Sequence, residues 1–298
     1  MRVEYIRDGL LEEFHEGVIQ FYNGKIHDKT PYYLRSCAKP LQSSLIIDNK
    51  IDFTPEELAF CSGSHAGEEC HINIAKKILN KLGLDEQVLK CGKHPPLSRT
   101  MQDRMLLKGE NYSEIHNNCS GKHLGFLALC LAKGWDIETY YEPKHPLQQA
   151  IKKKIYELCE IHFSNNYPVT TDGCGVPIVS MPLNNLLIGY KNLVREYPQI
   201  TSAIMNNPYI YGGENRLDTE IIQNSINLIA KVGAGGLCVA YNTKINDGFA
   251  VKINDASTEA RRIAVLEVIN RFGWAEIPYD NTIKTLSGKI VGKITVKY

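Results

Sequence analysis

Ser36-Cys37-Ala38-Lys39 spells S-x-x-K. Residues three apart on a helix share a face, so the Lys39 amine can reach the Ser36 hydroxyl if a helix begins here. A serine hydroxyl is a poor nucleophile until a base takes its proton. Lysine serves as that base once burial or a neighbouring cation lowers its pKa. The pattern alone also describes a helix cap followed by a surface lysine. A second serine stands in Ser62-Gly63-Ser64-His65-Ala66-Gly67-Glu68. Small residues around it let a substrate approach the backbone; the plainer reading is a turn that opens a helix at His71, with His65 exposed or capping.

Lys231-Val232-Gly233-Ala234-Gly235-Gly236 comes next, directly before an expected strand. Penicilloyl-serine enzymes carry S-x-x-K, a middle serine box and a late K-T-G in this order; here valine replaces the threonine. A helix-terminal lysine with a glycine cap is the ordinary alternative. Two further runs place a cysteine among glycines: His116-Asn117-Asn118-Cys119-Ser120-Gly121-Lys122-His123 and Thr171-Asp172-Gly173-Cys174-Gly175-Val176-Pro177. Core cysteines prefer apolar neighbours, so these two stand apart from the other seven. Metal ligation, a reactive thiol and a tight turn all fit the pattern. Two thiolates suit a soft metal, with His123 an obvious nitrogen donor.

The elements that must position these residues follow from periodicity. Val3–Arg7 and Glu13–Tyr22 read as strands, with Asn23-Gly24 a hairpin-type turn. A helix is expected from Ser36, with Pro40 in its first turn. Thr54-Pro55-Glu56-Glu57 is a helix start: cap, proline, then acids facing the dipole. Helices are expected at His71–Leu82, Ser120–Lys133, Leu147–Ile161, Leu217–Ile229 and Ser257–Phe272, and strands at Gly236–Tyr241, Phe249–Ile253 and Lys289–Lys297. Strands at both ends and helices between them predict an α+β fold. An antiparallel sheet built from the two termini is flanked by helices, in a lobe of residues 1–44 and 177–298. Residues 45–176 form a mostly helical lobe within one catalytic unit. A site between lobes is a natural pocket.

Composition narrows the function. Lys+Arg 34 against Asp+Glu 33 leaves a net charge of +1, without the basic face that nucleic-acid binding needs. The hydrophobic fraction of 43% and charged fraction of 22% are those of a globular chain rather than a disordered one. The longest uncharged stretch, Gly173–Tyr190, holds two prolines and two asparagines, and a membrane span needs ~20 mostly apolar residues. The N-terminus MRVEYIRDGL lacks an apolar signal core, so a cytoplasmic location is expected. Nine cysteines without a C-x-x-C argue against a disulfide framework or a zinc ribbon.

Arg35-Ser36-Cys37-Ala38-Lys39-Pro40, the SHAGE of Ser64–Glu68, the NNCSGKH of Asn117–His123 and the DGCGVP of Asp172–Pro177 together resemble the Rhizobium etli-type L-asparaginases, the class 3 or asparaginase II family. The resemblance runs from about Arg35 to Asp255. It implies a fold like serine β-lactamases and glutaminases, hydrolysis of L-asparagine to L-aspartate and ammonia, and a homodimer. It makes Ser36, Lys39, Ser64 and Lys231 the catalytic set, and Cys119, Lys122 and Cys174 the ligands of one zinc ion, with no organic cofactor. One departure is Gly235, where the family pattern has glutamate.

The mechanism expected on this basis has Lys39 deprotonating Ser36, which attacks the side-chain amide and forms an acyl-enzyme. Ser64 and Lys231 are expected as a second pair that relays protons or holds substrate. Candidate substrate contacts are Arg35, His65, Glu68, Asn118 and Gly233. Arg216 and Asp218 are read instead as ordinary surface or helix-cap ions. A glutaminase or another Ser–Lys amidohydrolase is the alternative, since one methylene separates the two amide substrates. More distant is a non-catalytic zinc or amino-acid binding protein; no nucleic-acid or membrane partner is expected.

Overall fold

The structure, a computed structural model, describes residues 1–24 and 28–298. Ten strands are present among the described residues: β1 (Arg2–Arg7), β2 (Leu10–Phe21), β3 (Pro31–Tyr33), β4 (Val169–Thr171), β5 (Pro177–Pro182), β6 (Leu228–Gly233), β7 (Leu237–Asn242), β8 (Asp247–Ile253), β9 (Thr282–Lys284) and β10 (Ile290–Lys297). Seven form one antiparallel sheet in the order β6-β7-β8-β2-β1-β10-β9, and β3-β5-β4 form a small second sheet. The large sheet therefore joins the two ends of the chain, with β1 paired to both β2 and β10. Helices fill most of the sequence between β3 and β6, and the class is mixed α+β.

Side-chain alternation explains why the central strands are buried on both faces. In β7, Leu237, Val239 and Tyr241 enter one apolar core, whereas Cys238 and Ala240 enter the other. The helix Thr258–Arg271 seals the second core with Ala260, Ile263, Ala264 and Val268. The helix Leu183–Glu196 covers the opposite face with Leu183, Leu186, Leu187 and Tyr190. The same alternation in β6 puts Ile229 in the first core and Leu228, Ala230 and Val232 in the second. Lys231 thus faces the helical layer. That layer belongs to the first core, which runs from Leu34 through Phe60 and Leu127 to Ala250.

Several ends differ from the sequence expectation, each for a local reason. The β1–β2 hairpin closes at Asp8-Gly9, both with positive φ (45° and 88°), as a two-residue turn of this hand requires. Asn23-Gly24 makes a turn instead, Gly24 N–H donating to the Phe21 carbonyl, after β2 has ended. The expected helix Leu217–Ile229 stops at Gln223, and Leu228 and Ile229 open β6. Helix 120–133 has the expected bounds and ends at Gly134 with φ 65°. The expected helix start at Thr54 is present, and Thr54 and Glu57 form a reciprocal capping box for the helix Pro55–Ser62. Among the described residues no helix is long and apolar enough to cross a membrane.

Candidate active site

Ser36 sits in a short 3₁₀ turn, Arg35–Ala38, that runs straight into the helix Lys39–Gln42. Arg35 enters the turn at φ 47°, a left-handed conformation that costs a non-glycine residue free energy and collects at functional sites. Its guanidinium is anchored to Asp172 at 2.8 Å, and the Leu34 N–H donates to the Val179 carbonyl of β5. These ties fix the turn against the Asp172–Pro177 loop. Ser36, half-buried, lines a cavity of about 130 Å³ together with Arg35, Lys39, Lys122 and Asp172.

Lys39 is 2% exposed. Its amine donates to the Gly63 carbonyl at 2.8 Å, the Ser64 hydroxyl at 2.9 Å and the Asn118 carbonyl at 3.1 Å. Ser36 is not among these partners. Lys39 pairs with the middle serine, one segment away in the fold, instead of the serine one helical turn before it. Burial pushes the Lys39 amine down to about 8, aided by the Lys122 and Lys231 charges and opposed by Cys119 and Cys174. Lys39 is therefore within reach of losing a proton near neutral pH. A neutral amine keeps two N–H groups; the two carbonyls take these, and the lone pair then faces the Ser64 hydroxyl.

Gly63 makes this contact attainable. The Tyr211 carbonyl accepts the Ser64 N–H at 3.0 Å, and a Cβ on Gly63 would lie 2.1 Å from that carbonyl oxygen. Only a glycine lets the chain pass so close. Ser64 is 1% exposed beneath this contact.

Lys231 does not pair with Ser64. Both Lys231 and Asp218 are 0% exposed, and Lys231 Nζ donates to Asp218 Oδ2 at 2.6 Å and to the Val232 carbonyl at 3.0 Å. The ammonium also lies 5.2 Å from the Tyr211 ring centroid. Burial opposes the Asp218 charge, but Lys231 and then Arg216 hold its carboxyl below the usual carboxylate range. Asp218 is thus a core counter-ion, not the surface ion expected of it. Arg216 is half-buried with a buried, unpartnered Nε.

The two unusual cysteines do meet. Lys122 Nζ lies 2.9 Å from Cys174 Sγ. A hydrogen bond from Cys119, together with the Lys122 charge, holds the Cys174 thiol down at about 5, against the effect of burial. The same hydrogen bond, and then burial, push Cys119 up to about 12. Burial acts against the Lys122 charge, yet Cys174 and Cys119 raise it above an ordinary lysine. Two sulfurs and one nitrogen gathered around Cys174 fit the donor set of a borderline-soft divalent ion, once Lys122 and Cys119 give up their protons. His123 is held by another partner. The Tyr140 hydroxyl accepts the Lys90 N–H at 2.9 Å and hydrogen-bonds His123 Nδ1 at 2.6 Å, which ties the imidazole to Tyr140. The His123 Nε2 is buried without a partner.

Of the remaining candidates, Asn118 contributes its carbonyl to Lys39. His65 is fully buried; its Nδ1 accepts the Gly67 N–H at 3.1 Å, so Nε2–H donates to Ser120 Oγ at 2.8 Å. Its ring lies against both Phe60 and His71, and burial first, then His71, hold it well below the usual range. Glu68 caps the helix Glu69–Leu82 and accepts from the Tyr209 hydroxyl and the Glu214 N–H. Neither His65 nor Glu68 lines the Ser36 cavity. Gly233 ends β6, its carbonyl accepting from Arg261 at 3.1 Å. Gly235 occupies the β6–β7 turn at φ 69°, where glutamate would be strained although the space is open.

The model of the family described as L-asparaginase II matches residues 3–295, nearly the whole chain. The chain belongs to the asparaginase II family. No curated protein matches it. Membership makes it an asparaginase-type amidohydrolase with a small-molecule substrate. In this asparaginase II protein, Ser36 and the buried Lys39 amine line one cavity, Lys39 also holds Ser64, and a second buried lysine is paired with an aspartate. Sequence reasoning missed Asp218 as a partner of Lys231 and Asp172 as the anchor of Arg35. Asp218 carried one usable signal: an acid whose fate β6 decides, thirteen residues from a lysine.

Proposed function

We propose that this chain hydrolyses the side-chain amide of L-asparagine through an acyl-enzyme on Ser36, with Ser64 and Lys39 as the proton-transfer pair. The observation that carries the reading is the Lys39 amine, buried, held by two carbonyls and in contact with the Ser64 hydroxyl, at the base of the cavity that Ser36 lines. Ser36 attacks the amide carbon as its proton passes through Ser64 to Lys39. The C–N bond breaks, and the same route returns a proton to the leaving ammonia. Water then cleaves the ester and frees aspartate. The turn at Ser36 presents backbone N–H groups to the developing oxyanion. Arg35, at the cavity rim, meets the substrate carboxylate. The serine β-lactamase-like fold is in keeping with the terminal antiparallel sheet, and the nine free cysteines with a reducing, cytoplasmic setting for a homodimer. Ser64 as nucleophile is a second reading, favoured by its direct contact with Lys39.

Hydroxylamine tests the acyl-enzyme. With asparagine present it should divert product to β-aspartyl hydroxamate; ammonia release without any hydroxamate would point to direct attack by water. A serine-directed sulfonyl fluoride, mapped by peptide mass spectrometry, should label Ser36, and label on Ser64 alone would give the nucleophile's role to Ser64.

The Lys39 amine must be neutral to accept the proton. Since its pKa is about 8, kcat/KM should rise as pH increases through about 8 and fall roughly tenfold per unit below it. A flat profile between pH 6 and 9 would rule out Lys39 as the titrating base.

Cys119, Lys122 and Cys174 are the residues that would hold zinc, which when bound supplies a fixed positive charge and Lewis acidity beside the cavity. Metal analysis should find near-stoichiometric zinc in purified protein and its loss in Cys119→Ser. Fully active protein without metal would contradict a need for it.

A further inference from the structure

A second cavity, of about 520 Å³, lies beside the helix Leu217–Gln223 and shares no lining residue with the Ser36 cavity. That volume is ordinary for a small-molecule pocket. Four charged side chains line it. Two satisfy each other: the Arg262 guanidinium donates to both Glu220 carboxylate oxygens, with Nη2 2.6 Å from Oε1. The other two, Glu214 and Arg216, have no ion-pair partner among the described residues. Arg216 helps to lower the Asp218 pKa, but the Asp218 carboxylate is held by Lys231 and makes no ion pair with the guanidinium. The Arg216 Nε is buried without a partner. A guanidinium without a counter-ion is a planar fork that matches a carboxylate. Asn215 takes φ 57°, a left-handed turn that asparagine tolerates, and on either side of it Glu214 and Arg216 both line the cavity.

The cavity therefore offers a ligand one positive and one negative charge. A lone anion meets Glu214 and a lone cation meets Arg216, each at a like charge; a zwitterion pairs with both. Asn215 and Gln223 also line the cavity, and their side-chain amides form no hydrogen bond among the described residues, which suits a polar remainder. We infer that this cavity is a second site, one that binds a free α-amino acid with a polar side chain, its carboxylate on Arg216 and its ammonium on Glu214. The ligand there rests against the segment that carries Ser64. Glu68 accepts from the Tyr209 hydroxyl and the Glu214 N–H, and a Cβ on Gly213 would lie 2.5 Å from the Ala66 Cβ.

The experiment needs no turnover. The proteinogenic α-amino acids other than asparagine and glutamine are screened at millimolar concentration by thermal shift, since a ligand that binds the folded state raises its melting temperature. The amino acid with the largest shift is then titrated calorimetrically into wild type, Arg216→Met and Glu214→Gln, beside its deaminated and decarboxylated analogues. A polar amino acid should bind, and each variant and each analogue should weaken that binding on the order of tenfold or more, the scale of a hydrogen bond to a charged group. Glu214 is exposed, so Glu214→Gln decides the matter even if Arg216→Met folds poorly. A wild type that no amino acid shifts overturns the inference. Affinity unchanged in the variants overturns it too, because the ligand then sits elsewhere, the Ser36 cavity included. A deaminated analogue that binds as tightly as the amino acid reduces the site to one for simple anions and overturns the zwitterion. A protein that releases no ammonia from asparagine removes the hydrolase reading and leaves this binding test as it stands.

Discussion

Lys39→Met should lower kcat for asparagine by about 10²- to 10⁴-fold with KM little changed, since a positioned general base contributes on that scale. The methionine stem fills the same volume, so the packing of the helix Lys39–Gln42 is kept. What is lost is the amine between Gly63, Ser64 and Asn118. The two carbonyls lose a buried donor, which costs stability as well, and a melting curve taken alongside separates that loss from the catalytic one. A variant that melts like wild type and turns over at a tenth of its rate or better would show that Lys39 is not the base.

The second large effect concerns stability. Asp218→Ala leaves the Lys231 ammonium buried with no counter-charge, and breaking such a pair from one side costs about 3–5 kcal/mol. Denaturant unfolding should show this loss directly. The double variant Asp218→Asn, Lys231→Met removes both charges and should recover most of it, because the desolvation of an unpaired ion is what makes the single change costly. The sign with pH follows from the lowered Asp218 pKa. Its contribution is present above the ordinary aspartate range and is lost as pH falls through the folded value. A single variant within 1 kcal/mol of wild type would mean that the pair is not held as described. The consequence for function is that one lysine, not two, serves as a base in this account. Lys231 is a fixed cation, facing Tyr211, whose carbonyl holds the Ser64 N–H.

Local patterns in the sequence were reliable where one short segment decides the outcome. The helix start at Thr54, the helix ending at Gly134 and the strands at Gly236–Tyr241 and Phe249–Ile253 are of this kind. The family resemblance named Cys119, Lys122 and Cys174 together, and Lys122 Nζ lies 2.9 Å from Cys174 Sγ. Pairings set by the fold were not legible. Spacing put Lys39 beside Ser36, but the 3₁₀ turn at Arg35–Ala38 and the close approach of Gly63 to Tyr211 turn the amine toward Ser64. The alternation of β6 carries Lys231 to the helical face, and the early end of the helix Leu217–Gln223 sets Asp218 beneath it. Reading residues 217–229 as one helix hid that meeting. Similarly, nothing in the spacing pointed to the Tyr140 hydroxyl that holds His123 Nδ1.

The most direct test of the central claim is ammonia release from L-asparagine by the purified protein, with Ser36→Ala alongside and L-glutamine as the second substrate. The account predicts release from asparagine by the wild type, slower release from glutamine, and loss of both in the variant. Unchanged release in a folded Ser36→Ala protein would contradict it.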